Sequence, residues 1–274
     1  KEPQPAAAVL TLPVLRLYSL GPFEVYRGEE RVDERSWKSQ KVRYLLACIA
    51  SHRGRPVQDD VLIDIFWPDD AVKGKINLYS AASYLKSNLR PSNWKGDVDY
   101  VVRMRGGLML NPDRPRWHDY EEFETLFQQG RELEGQGQAE KAHELYRKLV
   151  RLYRGPYLDG CYMDWAGFIR TRLEQQMLEA LGSLSASAAA LQRHEEAREY
   201  SSKLLEIDPC HQNAHLTVMN SLIALGRPEE AVRQFEACRR ALRSELDMEP
   251  SIDLLRAYQQ AQLNVSVPPT VNKA

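Results

Sequence analysis

Residues 62–90 have the sequence LIDIFWPDDAVKGKINLYSAASYLKSNLR, in which two helical patterns are separated by a Trp67-Pro68 break. The first pattern is short and ends at that break. The second runs from Ala71 to Arg90, with Asp69 and Asp70 placed to cap its start and Pro91 directly after its end. Its apolar residues fall on one stripe of a helix, namely Leu78, Ala81, Ala82, Leu85 and Leu89. The stretch therefore predicts a short helix followed closely by a long amphipathic one.

Strand patterns lie on both sides of these two helices. Residues 15–32 predict a small antiparallel meander, and residues 44–49 predict a further helix. Residues 100–110 predict a β-hairpin whose turn, Arg105-Gly106-Gly107, places glycines where a positive φ is needed. Strands, three helices and a closing hairpin indicate an α+β winged helix over residues 14–112.

The second half of the chain has helical periodicity alone. The segment Arg193-His194-Glu195-Glu196-Ala197 recurs as Arg227-Pro228-Glu229-Glu230-Ala231 at a spacing of 34 residues, which is the period of tetratricopeptide repeats. A fainter copy begins at Ala139, and about three repeats are close to the minimum for a stable stack. We expect an all-α tetratricopeptide-like helical repeat domain over residues 113–264, with residues 1–13 as a linker and residues 265–274 as a flexible tail.

Composition and charge narrow the class of protein. The 274 residues are 43% hydrophobic and 27% charged, which excludes intrinsic disorder, and the longest apolar run, Tyr44–Ala50, is far below the roughly 20 residues of a membrane-spanning helix. Four isolated cysteines without a CxxC pair are typical of free thiols in a reducing compartment, so we expect a cytoplasmic protein. Residues 1–119 carry 19 Lys and Arg against 15 Asp and Glu, whereas residues 120–274 carry 18 against 23. This asymmetry suggests an anionic partner for the first half.

Signatures of enzymes and metal sites are lacking in the sequence. It contains no GxxxxGK[ST], HExxH or GxSxG motif and no GxGxxG after a strand, so we expect no catalysis and no cofactor. Cys210, His211 and His215 come nearest to a metal site, but no Glu lies between the two His, and we interpret all three as surface residues of a repeat helix. Trp165 and Phe168 precede a long helix, where core packing is favoured over an anchor for a partner.

The third helix carries hydroxyl, tyrosine and basic side chains opposite its apolar stripe. A helix fits the DNA major groove, where cations neutralise phosphates and Ser or Tyr hydrogen-bond phosphates or base edges; the alternative is an ordinary solvated face. The tip of the hairpin carries two wing cations, Arg103 and Arg105. Trp37, Lys38, Gln40, Lys41 and Arg43 lie at the start of the first helix, where cations and backbone N–H groups together can hold a phosphate; an ordinary solvated helix end is the equal alternative. The candidate DNA-binding residues are Lys41, Lys73, Lys75, Tyr79, Ser80, Ser83, Tyr84, Lys86, Ser87, Arg90, Arg103 and Arg105.

Several longer motifs occur together along the chain. The first half has LYSLGPFEV at 17–25, LIDIFWPDD at 62–70 and NLYSAASYLKSNL at 77–89, and the second has HDYEEF at 118–123, YRGPYL at 153–158 and ELDMEP at 245–250. In combination these motifs resemble the Streptomyces antibiotic regulatory protein (SARP) family, in which a response-regulator-type winged helix precedes a bacterial transcriptional activator domain. Members usually have arginines along the third helix and Pro-Gly-Tyr in the wing, whereas this chain has Lys75, Tyr79, Ser83 and Lys86, and Gly106-Gly107-Leu108.

The resemblance implies a sequence-specific DNA-binding transcriptional regulator, most simply an activator. Its partners would be double-stranded promoter DNA, RNA polymerase or a sigma factor, and a second copy of itself on direct repeats. Because the chain starts without Met, we expect it to be the C-terminal output region of a larger regulator with an upstream regulatory domain. Two alternatives stay open: a tetratricopeptide-type protein-interaction module whose winged helix does not bind DNA, and a regulator gated by a ligand.

Overall fold

The computed structural model describes residues 12–69, 71–91, 94 and 99–266 of the chain. The described residues divide into two units, of which the first contains those up to Glu124 together with Leu152–Arg170. The second contains Thr125–Arg151 and the described residues from Thr171 onward. The predicted domain boundary between residues 112 and 113 stays a prediction, and most of the predicted linker and tail lies outside the described residues.

The first unit is a winged helix built on two small sheets. Its elements are β1 (Leu15–Tyr18), β2 (Glu24–Arg27), β3 (Glu30–Arg31), α1 (Gln40–Ser51), β4 (Val57–Gln58), α2 (Asp59–Phe66), α3 (Ala71–Leu89), β5 (Val101–Met104), β6 (Gly107–Leu110), β7 (Arg116–His118) and the start of α4 (Asp119–Gly135). Strand β1 pairs antiparallel with β2 and parallel with β7, which gives a sheet of order β3-β2-β1-β7. The second sheet has the order β4-β6-β5, with β5 and β6 as an antiparallel hairpin. The predicted α+β class is confirmed.

Helices α1, α2 and α3 enclose the core of this unit. Helix α1 begins after its N-cap Ser39, whose hydroxyl accepts a hydrogen bond from the backbone N–H of Val42 at 3.3 Å. Trp37 and Lys38 therefore lie before the helix, whereas they were predicted at its start. Helix α3 begins where predicted and ends one residue earlier than predicted, and its apolar stripe is buried. At Gly74 a Cβ would lie 2.7 Å from Cγ2 of Ile63, so the close approach of α3 to α2 requires glycine.

The β5–β6 hairpin, hereafter the wing, turns at two residues with positive φ. These are Arg105 at 53° and Gly106 at 76°. The expectation that glycines supply the positive φ is therefore right for Gly106 and wrong for Gly107, which belongs to β6. Gly107 is needed for space, because a Cβ there would lie 2.5 Å from the backbone oxygen of Val57 on β4. Its small size lets β4 join the wing as a third strand.

A buried polar cluster fastens the end of β1 to the start of α4. The Ser19 hydroxyl donates to Oδ1 of Asp119 at 2.9 Å and lies 2.8 Å from Nε2 of His118. The backbone N–H groups of Ser19 and Leu20 also donate to the Asp119 carboxylate. Burial, with the nearby Arg116 and Arg53 charges, lowers the pKa of His118 to about 3. Because all three polar side chains are buried, this Ser-His-Asp cluster has a structural role.

The second unit consists of the rest of α4 and α5 (Ala139–Leu152), most of α6 (Asp164–Ala190), α7 (His194–Ile207), α8 (Gln212–Ala224), α9 (Pro228–Leu246) and α10 (Ile252–Ser266). Helices α7 and α9 each begin one residue after the repeated arginine, at positions 34 residues apart. The alanines at the ends of the three similar segments, Ala142, Ala197 and Ala231, are all buried. The tetratricopeptide-like class predicted from this spacing is confirmed. No helix within the described ranges is long and apolar enough to cross a membrane.

Close helix packing in the second unit depends on small and aromatic residues. A Cβ at Gly130 of α4 would lie 2.5 Å from Cε1 of Tyr146 on α5, so the Tyr146 ring occupies the space left by the glycine. The Tyr146 hydroxyl donates to Glu134 at 2.9 Å. Farther along, Phe235 of α9 stacks on Tyr258 of α10 with 4.3 Å between ring centroids. These contacts fix neighbouring helices at short distances.

Candidate nucleic-acid interface

Helix α3 exposes a cationic and polar face. Its 19 residues include three Lys and no Asp or Glu. At 100° per residue, Ile76, Ser83 and Ser87 lie at the centre of this face and Lys73 and Lys75 lie toward opposite flanks. Of the candidate residues on and directly after α3, the exposed ones are Lys73, Lys75, Tyr79, Ser80, Ser83, Ser87 and Arg90, and the half-buried ones are Tyr84 and Lys86.

Two apolar residues on this face are absent from the sequence-based candidates. Val72 is 75% exposed and Ile76 is 62% exposed. The signal was present in the sequence, since residues 72, 76, 79 and 83 share one side of a helix. An apolar side chain in a major groove can contact the methyl group of thymine, a contact that a polar side chain does not offer.

Two of the candidate cations share one carboxylate. Nζ of Lys86 lies 2.9 Å from Oδ2 of Asp99, and Nη2 of Arg90 lies 3.6 Å from Oδ1 of the same residue. Asp99 precedes β5, so the pairing links the end of α3 to the base of the wing. The positive charge at this end of α3 is thereby partly neutralised.

The wing has one arginine at its tip and one on its strand. Arg105 is at the turn, is exposed and makes no ion pair with any residue that the structure describes. Arg103 lies within β5, where its guanidinium forms an ion pair with Asp59 and stands over the Tyr79 ring, 4.4 Å from the ring centroid. The expectation that both arginines lie at the tip is therefore wrong for Arg103.

A cleft of about 220 Å³ lies between the start of α1 and α3. Its lining residues are Lys38, Ser39, Lys41, Val42, Trp67, Asn77, Ser80 and Ala81. Nζ of Lys41 donates to the backbone oxygen of Phe66 at 2.9 Å, which fixes this cation beside the cleft. The N-terminal end of a helix, two lysines and neutral hydrogen-bonding side chains together suit the binding of a phosphate.

Cys210, His211 and His215 make separate contacts, and the Cys210 thiol donates to the backbone oxygen of Ala241 at 3.6 Å. The His211 ring accepts a hydrogen bond from the backbone N–H of Ala214 and caps α8. The His215 ring is buried, contrary to the surface position expected, between the Pro209 carbonyl at 2.9 Å and the Gln234 amide at 2.7 Å. Among the described residues, no group of three or more His, Cys, Asp or Glu is placed to hold a metal ion.

The aromatic residues near the start of α6 do not share one environment. Trp165 is half-buried and its Nε1 hydrogen-bonds Sδ of Met163 at 3.4 Å. Phe168 is 79% exposed. The interpretation of both residues as core is therefore wrong for Phe168.

Comparison with known proteins gives concordant matches. The model of the bacterial transcriptional activator domain family matches residues 118–262. The regulatory protein AfsR of Streptomyces griseus is 26% identical over 251 residues, which is 91% of this chain and 25% of AfsR. The regulatory protein DnrI of Streptomyces peucetius is 26% identical over 246 residues, which is 88% of this chain and 89% of DnrI. The chain thus spans about a quarter of AfsR and most of DnrI.

One solved structure matches almost the whole chain. Mycobacterium tuberculosis EmbR, solved in complex with a low-affinity phosphopeptide, matches with a TM-score of 0.70 and 20% identity. The match covers 92% of this chain and 65% of the EmbR chain. At this level of identity the likeness concerns the fold, and it supports the order of a winged helix followed by helical repeats.

Proposed function

This chain belongs to the bacterial transcriptional activator domain family, and we propose that it is a sequence-specific DNA-binding transcriptional regulator that acts as an activator. Relatives with similar sequences carry the names regulatory protein and transcriptional regulator. The observation that carries the proposal is the acid-free exposed face of α3, which stands beside a wing whose tip arginine, Arg105, makes no ion pair with a described residue.

In the proposed complex, α3 enters the major groove. Ser83 and Ser87 at the centre of its face offer hydroxyls to base edges or phosphates, and Ile76 offers an apolar contact to a thymine methyl group. Lys73 and Lys75 extend toward phosphates on the two sides of the groove. In this arrangement the residues at the centre of the face determine sequence specificity, and the lysines on its flanks supply most of the affinity.

Two further contacts support the same orientation of the winged helix on the DNA duplex. The cleft at the start of α1 takes a backbone phosphate from the edge of the groove, held by Lys41 and the helix N-terminal end. The wing tip places Arg105 at the adjacent minor groove or its phosphates. Contacts from α1, α3 and the wing fix the register of the winged helix on the duplex.

The helical unit is proposed to supply the activating contact. A stack of helical repeats presents extended surfaces to other proteins and suits RNA polymerase or a sigma factor as a partner. With few strong phosphate contacts per copy, binding of two copies to adjacent direct repeats adds the affinity that one copy lacks. We further propose a regulatory domain upstream in the same polypeptide; the match covers only 25% of AfsR, so this relative contains much sequence beyond the matched region.

The test is selection of genomic DNA fragments by the purified chain, followed by affinity measurements on the selected fragments across a salt series. We expect a repeated element and an affinity that falls steeply with salt. The triple variant K75A/Y79A/S83A should lose the sequence preference, whereas substitution of Ser202 by Ala, on α7 of the other unit, should leave it unchanged. Absence of enrichment at low salt would refute DNA binding.

One observation favours the interaction-module alternative. Lys86, Arg90 and Arg103 are each paired with a carboxylate, which reduces the charge available to DNA. Under that alternative the isolated chain would capture protein partners and select no DNA.

In vitro transcription from a selected fragment distinguishes an activator, which raises transcript yield, from a repressor, which lowers it.

A further inference from the structure

We propose that Arg103 is a positioning residue, which fixes the Tyr79 ring on α3 for reading bases, and that Asp59 holds Arg103 in that place. The inference deepens the proposed function and rests on it. It assigns the two wing arginines different tasks: Arg105 binds the DNA backbone, and Arg103 determines specificity through Tyr79.

The geometry places Arg103 between a ring and a carboxylate. Its Cζ is 4.4 Å from the Tyr79 ring centroid, well within the range of a cation–π contact. Its Nη2 forms an ion pair with Oδ2 of Asp59. The Arg103 and Asp59 side chains are only 32% and 20% exposed, so solvent screens this contact less than a fully exposed pair. The positive charge of Arg103 is therefore engaged within the protein.

Asp59 is itself held in place by the wing. It is the first residue of α2, and its backbone N–H donates to the Gly106 oxygen at the wing turn at 3.2 Å. Its second carboxylate oxygen, Oδ1, is buried and has no hydrogen-bond partner among the described residues. Arg103 is thus the cation that compensates this carboxylate, and the start of α2, the wing and Tyr79 are joined into one arrangement.

Tyr79 lies where a fixed ring matters most. It is 45% exposed on the DNA-facing side of α3, three residues after Ile76 and four before Ser83. An unsupported tyrosine at such a site would lose side-chain freedom on binding DNA, which weakens the complex and allows alternative hydrogen bonds. A ring held by Arg103 presents its hydroxyl at one position along the groove, and this selects among base pairs.

The test compares R103Q with R105Q, two identical changes on the same hairpin, measured with the full chain on a selected DNA element and on variants of its base pairs. For R105Q we expect the same loss of affinity on every DNA variant, and a plot of log affinity against log salt that is less steep by about one. For R103Q we expect an unchanged slope and a loss of about tenfold in discrimination at the base pairs where Y79A loses it. In the Y79A background, R103Q should add no further loss of discrimination.

A second variant keeps the test decisive if R103Q folds poorly. D59N retains Arg103 but removes its ion-pair partner, so the salt dependence should become steeper by about one. Discrimination at the base pairs where Y79A loses it should fall at the same time. A merely structural role of Asp59 predicts no rise in slope. A salt dependence that is less steep by about one for R103Q would overturn the inference, because it would show that Arg103 contacts a phosphate. If wild-type protein bound DNA without salt dependence or sequence preference, the proposed function itself would fail.

Discussion

Replacement of Asp99 by Asn should tighten DNA binding. Asp99 neutralises two cations at the end of α3, with Nζ of Lys86 at 2.9 Å and Nη2 of Arg90 at 3.6 Å. Removal of the Asp99 charge makes one net positive charge available to contact a DNA phosphate. Affinity varies with salt to the power of about −0.9 per contact, so D99N should bind about eightfold more tightly at 0.1 M salt, and its salt slope should be steeper by about 0.9.

The assay is fluorescence anisotropy of a labelled duplex titrated with the protein at several salt concentrations. D113N is the matched control, since Asp113 is exposed and its carboxylate makes no ion pair within the described part of the chain. It changes the net charge equally and should shift the slope far less. The lost ion pair is partly exposed and costs under about 1 kcal/mol, so both variants should fold normally. Equal slopes for D99N and D113N would refute the expectation that Lys86 and Arg90 reach phosphates once the Asp99 charge is removed.

Three other outcomes are expected. I76A should reduce the preference for thymine at one position of the selected element without changing the salt slope, as measured by competition between duplexes. G130A should destabilise the second unit by about 1–3 kcal/mol in urea unfolding because its methyl group meets the Tyr146 ring, whereas G182A, with open space around it, should stabilise α6 by about 0.5–1 kcal/mol. The free energy of unfolding of the first unit should fall by about 2 kcal/mol as the pH is lowered from 7 to 5. The reason is that His118 has a pKa of about 3 in the folded state and 6.5 in the unfolded state, so that only the unfolded state takes up a proton in this range. H118Q should remove this part of the acid sensitivity.

Local signals predicted the helices and the repeat well. Helix α3 was placed to within one residue because two acidic residues precede it and a Pro follows it in the sequence; Asp70, one of the two predicted caps, lies outside the described residues. The repeat was found because a motif of five residues recurs at the starts of two helices, and its buried alanines show that the recurrence reflects packing. Both kinds of signal depend on residues that are close in sequence.

The interface was harder to predict because its details are tertiary. Arg103 lies 44 residues from Asp59 along the chain, and no local pattern indicates that the two form an ion pair. Hydrophobicity suggests burial for Ile76 and Phe168, yet both are exposed, since exposure depends on where neighbouring elements end. The spatial need for Gly107 also became evident only when β4 was found beside β6.

The carboxylates that pair with Lys86, Arg90 and Arg103 affect how a DNA-binding protein finds its target. A bacterial genome offers on the order of a million or more competing sites, and cations hold a protein on all of them alike. In the proposed complex, compensation of three cations by Asp59 and Asp99 would shorten each contact with non-target DNA and leave Ile76, Ser83 and Tyr79 to distinguish the target. Weaker binding to non-target DNA would then leave a larger share of the protein available to its target promoters.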